Sequence, residues 1–291
     1  MTRLTVTDSL CLPGDPARPN EDRVGHTGTC AFVIDGATGL GGSVAGSAEG
    51  TDAAWLAAFA AAHLKAGLAA DPDADIGALV ARTNAAARAH LTDRTDLGAL
   101  ERWAWPVAGF LLARMEGPSL AAHGLGDCVL FLAGADGPAR RHCPLGDNHA
   151  REAEDARAAI ARRGGLRGGH AAEGDAIEQQ RQRALRARYN TPGGPLYTLG
   201  LVPEAGAHVV RAAWPVAAPA RGIVCTDGFA ALVDRYRRYT PGSLIDAASD
   251  VGLAALGKEL RAIERVEDPE GHIYPRMKVS DDAGAVLFTL T

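Results

Sequence analysis

The sequence predicts an α+β fold in which antiparallel β-sheet is covered by helices. Short apolar segments typical of strands occur near the N-terminus, in the middle and at the C-terminus, and longer helical segments lie between them. Because strands and helices do not alternate as regular βαβ units, a doubly wound parallel sheet is not expected. With 291 residues, 47% hydrophobic and 22% charged, the chain is large enough to bury a stable core without metal or disulfide staples.

The first part of the chain predicts two strands followed by two helices. Residues 4–12 alternate partly between apolar and polar side chains and stop at a Pro-Gly turn, which is typical of a strand. Residues 31–34 form a short apolar run that ends in an Asp-Gly pair and a glycine-rich turn. The segments 43–65 and 74–91 have the composition and spacing of helices that pack on one face.

The rest of the chain predicts five more strands and four more helices. The strand-like segments span residues 103–115, 120–133, 208–213, 222–226 and 285–290, and the first two are predicted to form a hairpin. The helical segments span residues 149–163, 229–239, 243–248 and 253–266. Residues 164–194 are rich in Gly, Arg and Gln with little apolar periodicity, so we interpret them as a mobile insertion.

Charge, cysteine content and hydropathy argue against several classes of protein. The net charge of −5 and the pI near 6.0 provide no global basic field, so nucleic acid is not an expected partner. The five cysteines are widely spaced without a Cys-x-x-Cys pair, which is typical of reduced thiols in a cytoplasmic protein. The N-terminus does not resemble a signal peptide, and the longest apolar run, residues 53–64, is shorter than a membrane span, so no membrane contact is expected.

Four acidic motifs share one pattern, and three of them stand at the end of a predicted strand. They are Glu21-Asp22, Asp35-Gly36, Asp227-Gly228 and Asp281-Asp282. Taken singly, each acid is more simply a helix cap or a turn residue. Two carboxylates about 4 Å apart repel by roughly 4 kcal/mol at an effective dielectric constant near 20, so a cluster of them needs cations. Because every candidate ligand atom is an oxygen, Mg²⁺ or Mn²⁺ is the expected ion.

The series NED, VIDGATGLGG, LGDCVLFL, CTDG and SDDAGAVLF resembles the PPM family, the metal-dependent type 2C serine/threonine protein phosphatases, in a compact bacterial form. The resemblance covers nearly the whole chain. It implies a four-layer α-β-β-α sandwich with two central antiparallel sheets, formed as a single domain over residues 1–291, with a variable flap-like insertion at about 164–194. The implied activity is hydrolysis of phosphoserine and phosphothreonine monoesters on proteins by a water that two metal ions activate.

The resemblance also assigns ligands to these two ions of Mn²⁺ or Mg²⁺. Asp35 would bridge both ions, and the carbonyl of Gly36 would join the first. Asp227 and Asp281 would hold the second ion. The resemblance therefore implies that the carboxylates of Asp35, Asp227 and Asp281 form the catalytic centre.

Five more residues receive supporting roles from the resemblance. Glu21 and Asp22 would bind mainly through waters held by the ions, and Asp127 would support a third, weaker ion. Asp282, where many relatives have asparagine, would hold a ligand in place. Arg18 is the candidate phosphate-binding residue, although it lies one position nearer to the NED motif than the family's arginine.

The implied partner is a phosphorylated protein or peptide as substrate, and a cognate kinase stays open as a second one. Two other functions also remain open: a catalytically silent phosphoprotein-binding module on the same fold, and a phosphomonoesterase for a small molecule. The intact acidic motifs argue against the silent module. Four arginines of the insertion are interpreted as a solvated helix face rather than as a phosphopeptide contact: Arg181, Arg183, Arg186 and Arg188.

Overall fold

The strands of this chain form two five-stranded sheets in which every paired strand is antiparallel. The computed structural model describes residues 2–41, 43–46, 48–134, 137–146, 149–166 and 175–291, without the side chains of residues 149–152 and 163. In order across sheet 1 are β1 (Leu4–Leu12), β10 (Ala283–Leu290), β9 (Ala220–Cys225), β6 (Val129–Ala133) and β7 (Arg140–His142). In order across sheet 2 are β2 (Asp22–His26), β3 (Cys30–Gly36), β4 (Ala108–Glu116), β5 (Ser119–Leu125) and β8 (Val210–Pro215).

Helices cover the outer faces of both sheets. On sheet 2 pack α1 (Asp52–Ala70) and α2 (Ile76–Thr92), and on sheet 1 pack α5 (Asp227–Asp234), α6 (Pro241–Val251) and α7 (Leu253–Ala262). The connection from β7 to β8 contains α3 (His149–Arg163) and α4 (Ala176–Arg186). A third apolar cluster joins the facing sides of the two sheets. This order of layers confirms the predicted α-β-β-α sandwich.

Strand β3 shows how a short sequence builds two cores at once. Phe32 and Ile34 belong to the cluster with α1 and α2, whereas Ala31 and Val33 belong to the cluster between the sheets. Successive side chains of a strand point to opposite faces, and here both faces are buried. The strand is therefore a continuous apolar run rather than an alternating one. The run stops at the partly exposed Asp35, one residue before the strand ends at Gly36.

The predicted single strand over residues 120–133 is wrong, because the chain changes sheets in the middle of it. β5 ends at Leu125 in sheet 2, and β6 begins at Val129 in sheet 1. Gly126 makes the turn with φ +87°, and a Cβ on it would lie 2.9 Å from the Cα of Gly109. Only glycine suits both conditions. The turn leaves Asp127 between the two sheets.

Residues 164–194, interpreted from their composition as a mobile insertion, contain a helix, α4. The Asp175 side chain caps α4 by accepting a hydrogen bond from the N–H of Glu178 at 3.1 Å. Arg181 is paired with Glu178 one turn earlier at 2.7 Å. The sequence of α4 is mostly polar and shows no clear apolar stripe. Polar contacts hold the helix instead, and apolar periodicity does not detect them. Residues 167–174 of the predicted insertion lie outside the described residues.

Helix α1 extends well beyond the apolar run from which the absence of a membrane span was inferred. It has 19 residues and is long and apolar enough to cross a membrane by those two criteria alone. Leu56, Leu64 and Leu68 are buried in the cluster between α1, α2 and sheet 2. A buried core helix meets the same criteria, so they are weak evidence for a membrane span.

We predict that Val33→Ala lowers the free energy of unfolding by about 2–3 kcal/mol, because it removes two methyl groups and leaves a cavity between the sheets. Val33 is fully buried, whereas Val266 is 78% exposed. The matched control Val266→Ala should change the free energy of unfolding by less than about 0.5 kcal/mol. Urea denaturation measures both variants, and equal effects would contradict the packing described here.

Candidate metal centre

Eight of the nine predicted site residues line one cavity of about 780 Å³ at one end of the sandwich. They are Arg18, Glu21, Asp35, Gly36, Asp127, Asp227, Asp281 and Asp282. The ninth, Asp22, lies behind the cavity wall and is only 2% exposed. Segments that are far apart in the sequence therefore bring their acids to a single place.

Close backbone packing places Asp35 and Glu21 side by side. Asp35 pairs with Asp22 in the register of β2 and β3, and the next N–H, that of Gly36, donates to the Glu21 carbonyl at 3.1 Å. A Cβ at position 36 would lie 2.5 Å from that carbonyl oxygen and 3.0 Å from the one of Ala53. Glycine is thus required here by contact with backbone atoms that do not move aside easily.

A second glycine makes the matching contact on the other side of the cavity. Asp227 is the first residue of α5, separated from the end of β9 by Thr226 alone, and Gly228 follows it. A Cβ on Gly228 would overlap the backbone carbonyl of Asp282. The close approach brings the start of α5 against the Asp281-Asp282 segment that precedes β10.

Asp282 holds the N-terminal loop with both of its carboxylate oxygens. Oδ1 accepts a hydrogen bond from the N–H of Gly14, and Oδ2 accepts one from the N–H of Glu21, each at 2.6 Å. Charged acceptors make the stronger hydrogen bonds of a protein. Asp282 therefore fixes where Glu21 enters the cavity.

Thr226 connects three strands beneath the cavity, and the sequence analysis missed it. Its Oγ1 donates to Oδ2 of Asp22 at 2.7 Å and accepts from the N–H of Gly284 at 2.8 Å. Its own N–H donates to the Gly284 carbonyl at 2.9 Å. Since Thr226 is fully buried, these bonds satisfy polar atoms that water does not reach. They join the start of β2 to the end of β9 and the start of β10.

Mutual repulsion and loss of water raise the proton affinity of the carboxylates on sheet 2. Burial, reinforced by the charges of Asp22 and Asp227, raises the pKa of Asp35 well above its usual range. Burial also raises the pKa of Asp22 in the same way, although the hydrogen bond from Thr226 opposes the shift. Both shifts indicate that this part of the cluster has too little positive charge nearby to balance its carboxylates.

A lysine supplies positive charge to the other part of the cluster. Nζ of Lys278 lies 2.7 Å from Oδ1 of Asp281. Burial would raise the pKa of Asp281, but the Lys278 ammonium outweighs it and lowers that pKa below its usual value. Lys278 was not among the predicted site residues, although its position three residues before the last acidic motif was a usable signal.

The carboxylates line one cavity but are not arranged at metal-ligand spacing. Within the described part of the chain, no three or more His, Cys, Asp or Glu side chains form a group that could hold an ion. Protein donors hold several of them instead: Thr226 on Asp22, Lys278 on Asp281, and Thr38 on Glu21. The donor atoms are nevertheless all oxygens, so their chemistry fits a hard divalent cation that would replace some of these donors.

Two arginines of α4 bind the loop that follows β3, so their interpretation as a solvated helix face is wrong. Arg183 donates to the carbonyl of Leu40 at 2.8 Å and stacks over the ring of Trp103 at 4.3 Å. Arg186 donates to the carbonyl of Thr38 at 2.8 Å. The two other arginines, Arg181 and Arg188, are exposed, as the interpretation expected.

The fold is similar to that of several solved structures of phosphatases. No protein-family model matches the sequence, and no curated protein matches it. Among solved structures, the chain is similar to the catalytic domain of the serine/threonine protein phosphatase PstP in complex with two manganese ions, at 17% identity, 100% coverage of both chains and a TM-score of 0.55. It is also similar to the PPM Ser/Thr phosphatase MsPP of Mycobacterium smegmatis in complex with cacodylate (17% identity, 99% and 97% coverage, TM-score 0.50) and to the photosystem II phosphatase PBCP (14%, 99% of both chains, 0.55). The chain has the fold of the PPM phosphatases.

We predict that Asp35→Asn raises the melting temperature of the metal-free protein at pH 7 by about 2 °C or more. The pKa of Asp35 is raised in the folded state, so its contribution to stability falls as pH rises from the unfolded value near 4 toward the folded value. Asparagine carries no charge, so the variant does not lose stability at this position as pH rises. Thermal melts in a chelator between pH 4 and pH 7 should show the gap to wild type widening with pH.

The control for this prediction is Asp73→Asn, since Asp73 is exposed and distant from the cluster. It should leave the melting temperature unchanged over the same pH range. A lower melting temperature for Asp35→Asn at pH 7 would contradict the charge imbalance inferred for the cavity.

Proposed function

We propose that the protein is a metal-dependent phosphatase that hydrolyses phosphoserine and phosphothreonine monoesters on proteins. The observation that carries the proposal is the cavity in which acids from the beginning, middle and end of the chain meet at one end of a PPM-type sandwich. An acidic cavity is a poor place for a phosphate dianion unless cations are bound there. The proposal therefore requires divalent ions as part of the working site.

The carboxylates of Asp35, Asp227 and Asp281 are proposed to hold two ions, together with the Gly36 carbonyl. Glu21 is proposed to bind waters of the ions, and it is already oriented by the hydrogen bond from Thr38 at 2.6 Å. When bound, such a pair of ions lowers the pKa of water and stabilises charge on phosphoryl oxygens. In this proposal the ions are Mn²⁺ or Mg²⁺; manganese is the metal in the PstP structure.

Asp22, Asp282 and Asp127 are proposed to assist these ligands without forming the pair site. Asp22 lies behind the wall and pairs with Asp35 across β2 and β3, where its charge adds to the attraction for cations. Asp282 positions Glu21 through the backbone. Asp127 lines the cavity at the turn between the sheets and is the candidate for a third, weaker ion.

Arg18 is proposed to bind the substrate phosphate. It is an exposed residue of the cavity wall, and its guanidinium has the donor geometry that phosphate oxygens accept. A protein substrate agrees with a cavity that opens to solvent beside the exposed side chain of Arg18. The wider setting of the proposal is a cytoplasmic protein that reverses the action of a kinase.

The proposal predicts that Asp227→Asn lowers kcat/KM by at least about 100-fold, because the variant removes a charge that holds an ion used in the transition state. The assay is hydrolysis of a phosphothreonine peptide and of an aryl phosphate, each with Mn²⁺ and with a chelator. Chelation should abolish turnover of both substrates. The matched control is Asp250→Asn, an exposed acid of α6, and it should retain wild-type turnover.

Three outcomes of this assay separate the proposal from its rivals. Turnover that survives chelation or survives Asp227→Asn would contradict the metal-dependent mechanism. Binding of the phosphopeptide with no turnover under any metal would indicate a silent phosphoprotein-binding module. Turnover of the aryl phosphate with none of several phosphopeptides would favour a small-molecule substrate.

A further inference from the structure

Lys278 places a positive charge among the carboxylates of the candidate metal centre. Its Nζ lies 2.7 Å from Oδ1 of Asp281, inside the cavity wall, and its side chain is 28% exposed. A lysine ammonium is charged at neutral pH and has three hydrogens to donate. The lysine thus lies where a divalent ion bound to Asp281 would also place its charge.

The ammonium also reaches the first acidic motif through a threonine. Nζ of Lys278 lies 3.2 Å from Oγ1 of Thr38, and the same hydroxyl lies 2.6 Å from Oε2 of Glu21. Because the ammonium can only donate, Thr38 accepts from it and donates its own hydrogen to Glu21. One lysine therefore orients carboxylates that are supplied by opposite ends of the chain.

The segment that carries Lys278 is held in place by its neighbours. Arg276 donates to the carbonyl of Val279 at 2.9 Å, and Arg261 donates to the carbonyl of Asp281 at 2.7 Å. These arginines bind the backbone that follows the lysine, and Arg276 also donates to the carbonyl of Tyr274, before the lysine, at 3.1 Å. The lysine itself binds the carboxylate of Asp281. Its position in the cavity follows from a fixed backbone rather than from a loose side chain.

The choice of lysine at this position is also informative. Only three of the 30 Lys and Arg residues in the sequence are lysine, and the other two, Lys65 and Lys258, are exposed. An arginine would present a rigid planar fork suited to a lasting bidentate pair with a carboxylate. A lysine presents a compact charge on a flexible stem, which can leave its carboxylate when another cation arrives.

We propose that Lys278 is an internal counter-cation that stabilises the carboxylate cluster before divalent ions bind and competes with an ion for Asp281. The inference rests on the proposed function in one respect, namely that Asp281 is a metal ligand. It adds that the affinity for metal is set partly by a residue that is not a ligand. Lys278 weakens metal binding and, in return, limits repulsion in the metal-free protein.

The test compares Lys278→Gln with wild type in two measurements. Glutamine keeps a hydrogen-bond donor toward Asp281 but removes the charge. Titration calorimetry with MnCl₂ should show the Mn²⁺ dissociation constant at Asp281 falling by about tenfold, which corresponds to about 1.4 kcal/mol. Thermal melts should show a lower melting temperature in chelator and a larger rise on adding Mn²⁺ than in wild type.

Two further variants separate charge from packing. Lys278→Arg keeps the charge and adds a fork suited to a lasting pair with Asp281, so its Mn²⁺ dissociation constant should be equal to or higher than that of wild type. Lys258→Met removes an exposed lysine from α7 and should change neither measurement. If Lys278→Gln proves too unstable to isolate without metal, the comparison of Lys278→Arg with a Lys278→Met protein purified in Mn²⁺ gives the same contrast of charge.

Two results would overturn the inference, and neither depends on turnover. An Mn²⁺ dissociation constant that is unchanged or higher in the charge-removing variants would show that Lys278 does not compete with the ion. An unchanged melting temperature in chelator would show that it does not stabilise the metal-free cluster. If wild type binds no Mn²⁺ at all, the proposed function fails instead, so the two failures are distinguishable.

Discussion

Repulsion among carboxylates in one cavity is the constraint on which the rest of this structure depends. Acids that are far apart in the sequence are brought together in a buried place. Burial raises the pKa of Asp22 and Asp35 above the usual range, and the charges of the neighbouring carboxylates raise it further. The fold must hold them there against that repulsion. It does so with hydrogen bonds to Asp22 and Asp282 from neutral groups, and with one ammonium at Asp281.

The sandwich supplies the rigidity that such an arrangement needs. Each sheet is packed on both faces, so the strand ends that bear the acids are fixed by cores on either side. Gly36 and Gly228 then let the backbones at those ends touch. Positions on rigid elements are more accurately held than positions on loops, which suits a site that must bind ions with several ligands at once.

Local patterns were enough to predict most of the architecture. The continuous apolar run of β3 and the helical spacing in α1 and α2 are visible in short stretches of sequence, and so are the Asp-Gly turns that follow β3 and β9. These signals predicted antiparallel sheets covered by helices, and the acidic motifs together with the family resemblance named eight residues that line the cavity. The role of those residues as metal ligands stays a prediction.

Features that depend on distant partners were missed. The change of sheets at Gly126 left no mark, because apolar residues that suit a strand flank it on both sides. The arginines of α4 were interpreted as a solvated helix face, whereas Arg183 and Arg186 bind carbonyls that lie 143 and 148 positions earlier in the chain. Thr226 is 204 positions from Asp22, and nothing near it in the sequence indicates that contact.

The central claim is that the clustered carboxylates form a binding site for a pair of divalent ions. Crystals grown in MnCl₂ and measured at a wavelength where manganese scatters anomalously test it most directly. We expect two adjacent anomalous peaks in the cavity, both bound by Asp35, with Asp227 and Asp281 on one of them. Peaks located elsewhere, or a cavity without any peak at saturating Mn²⁺, would contradict it.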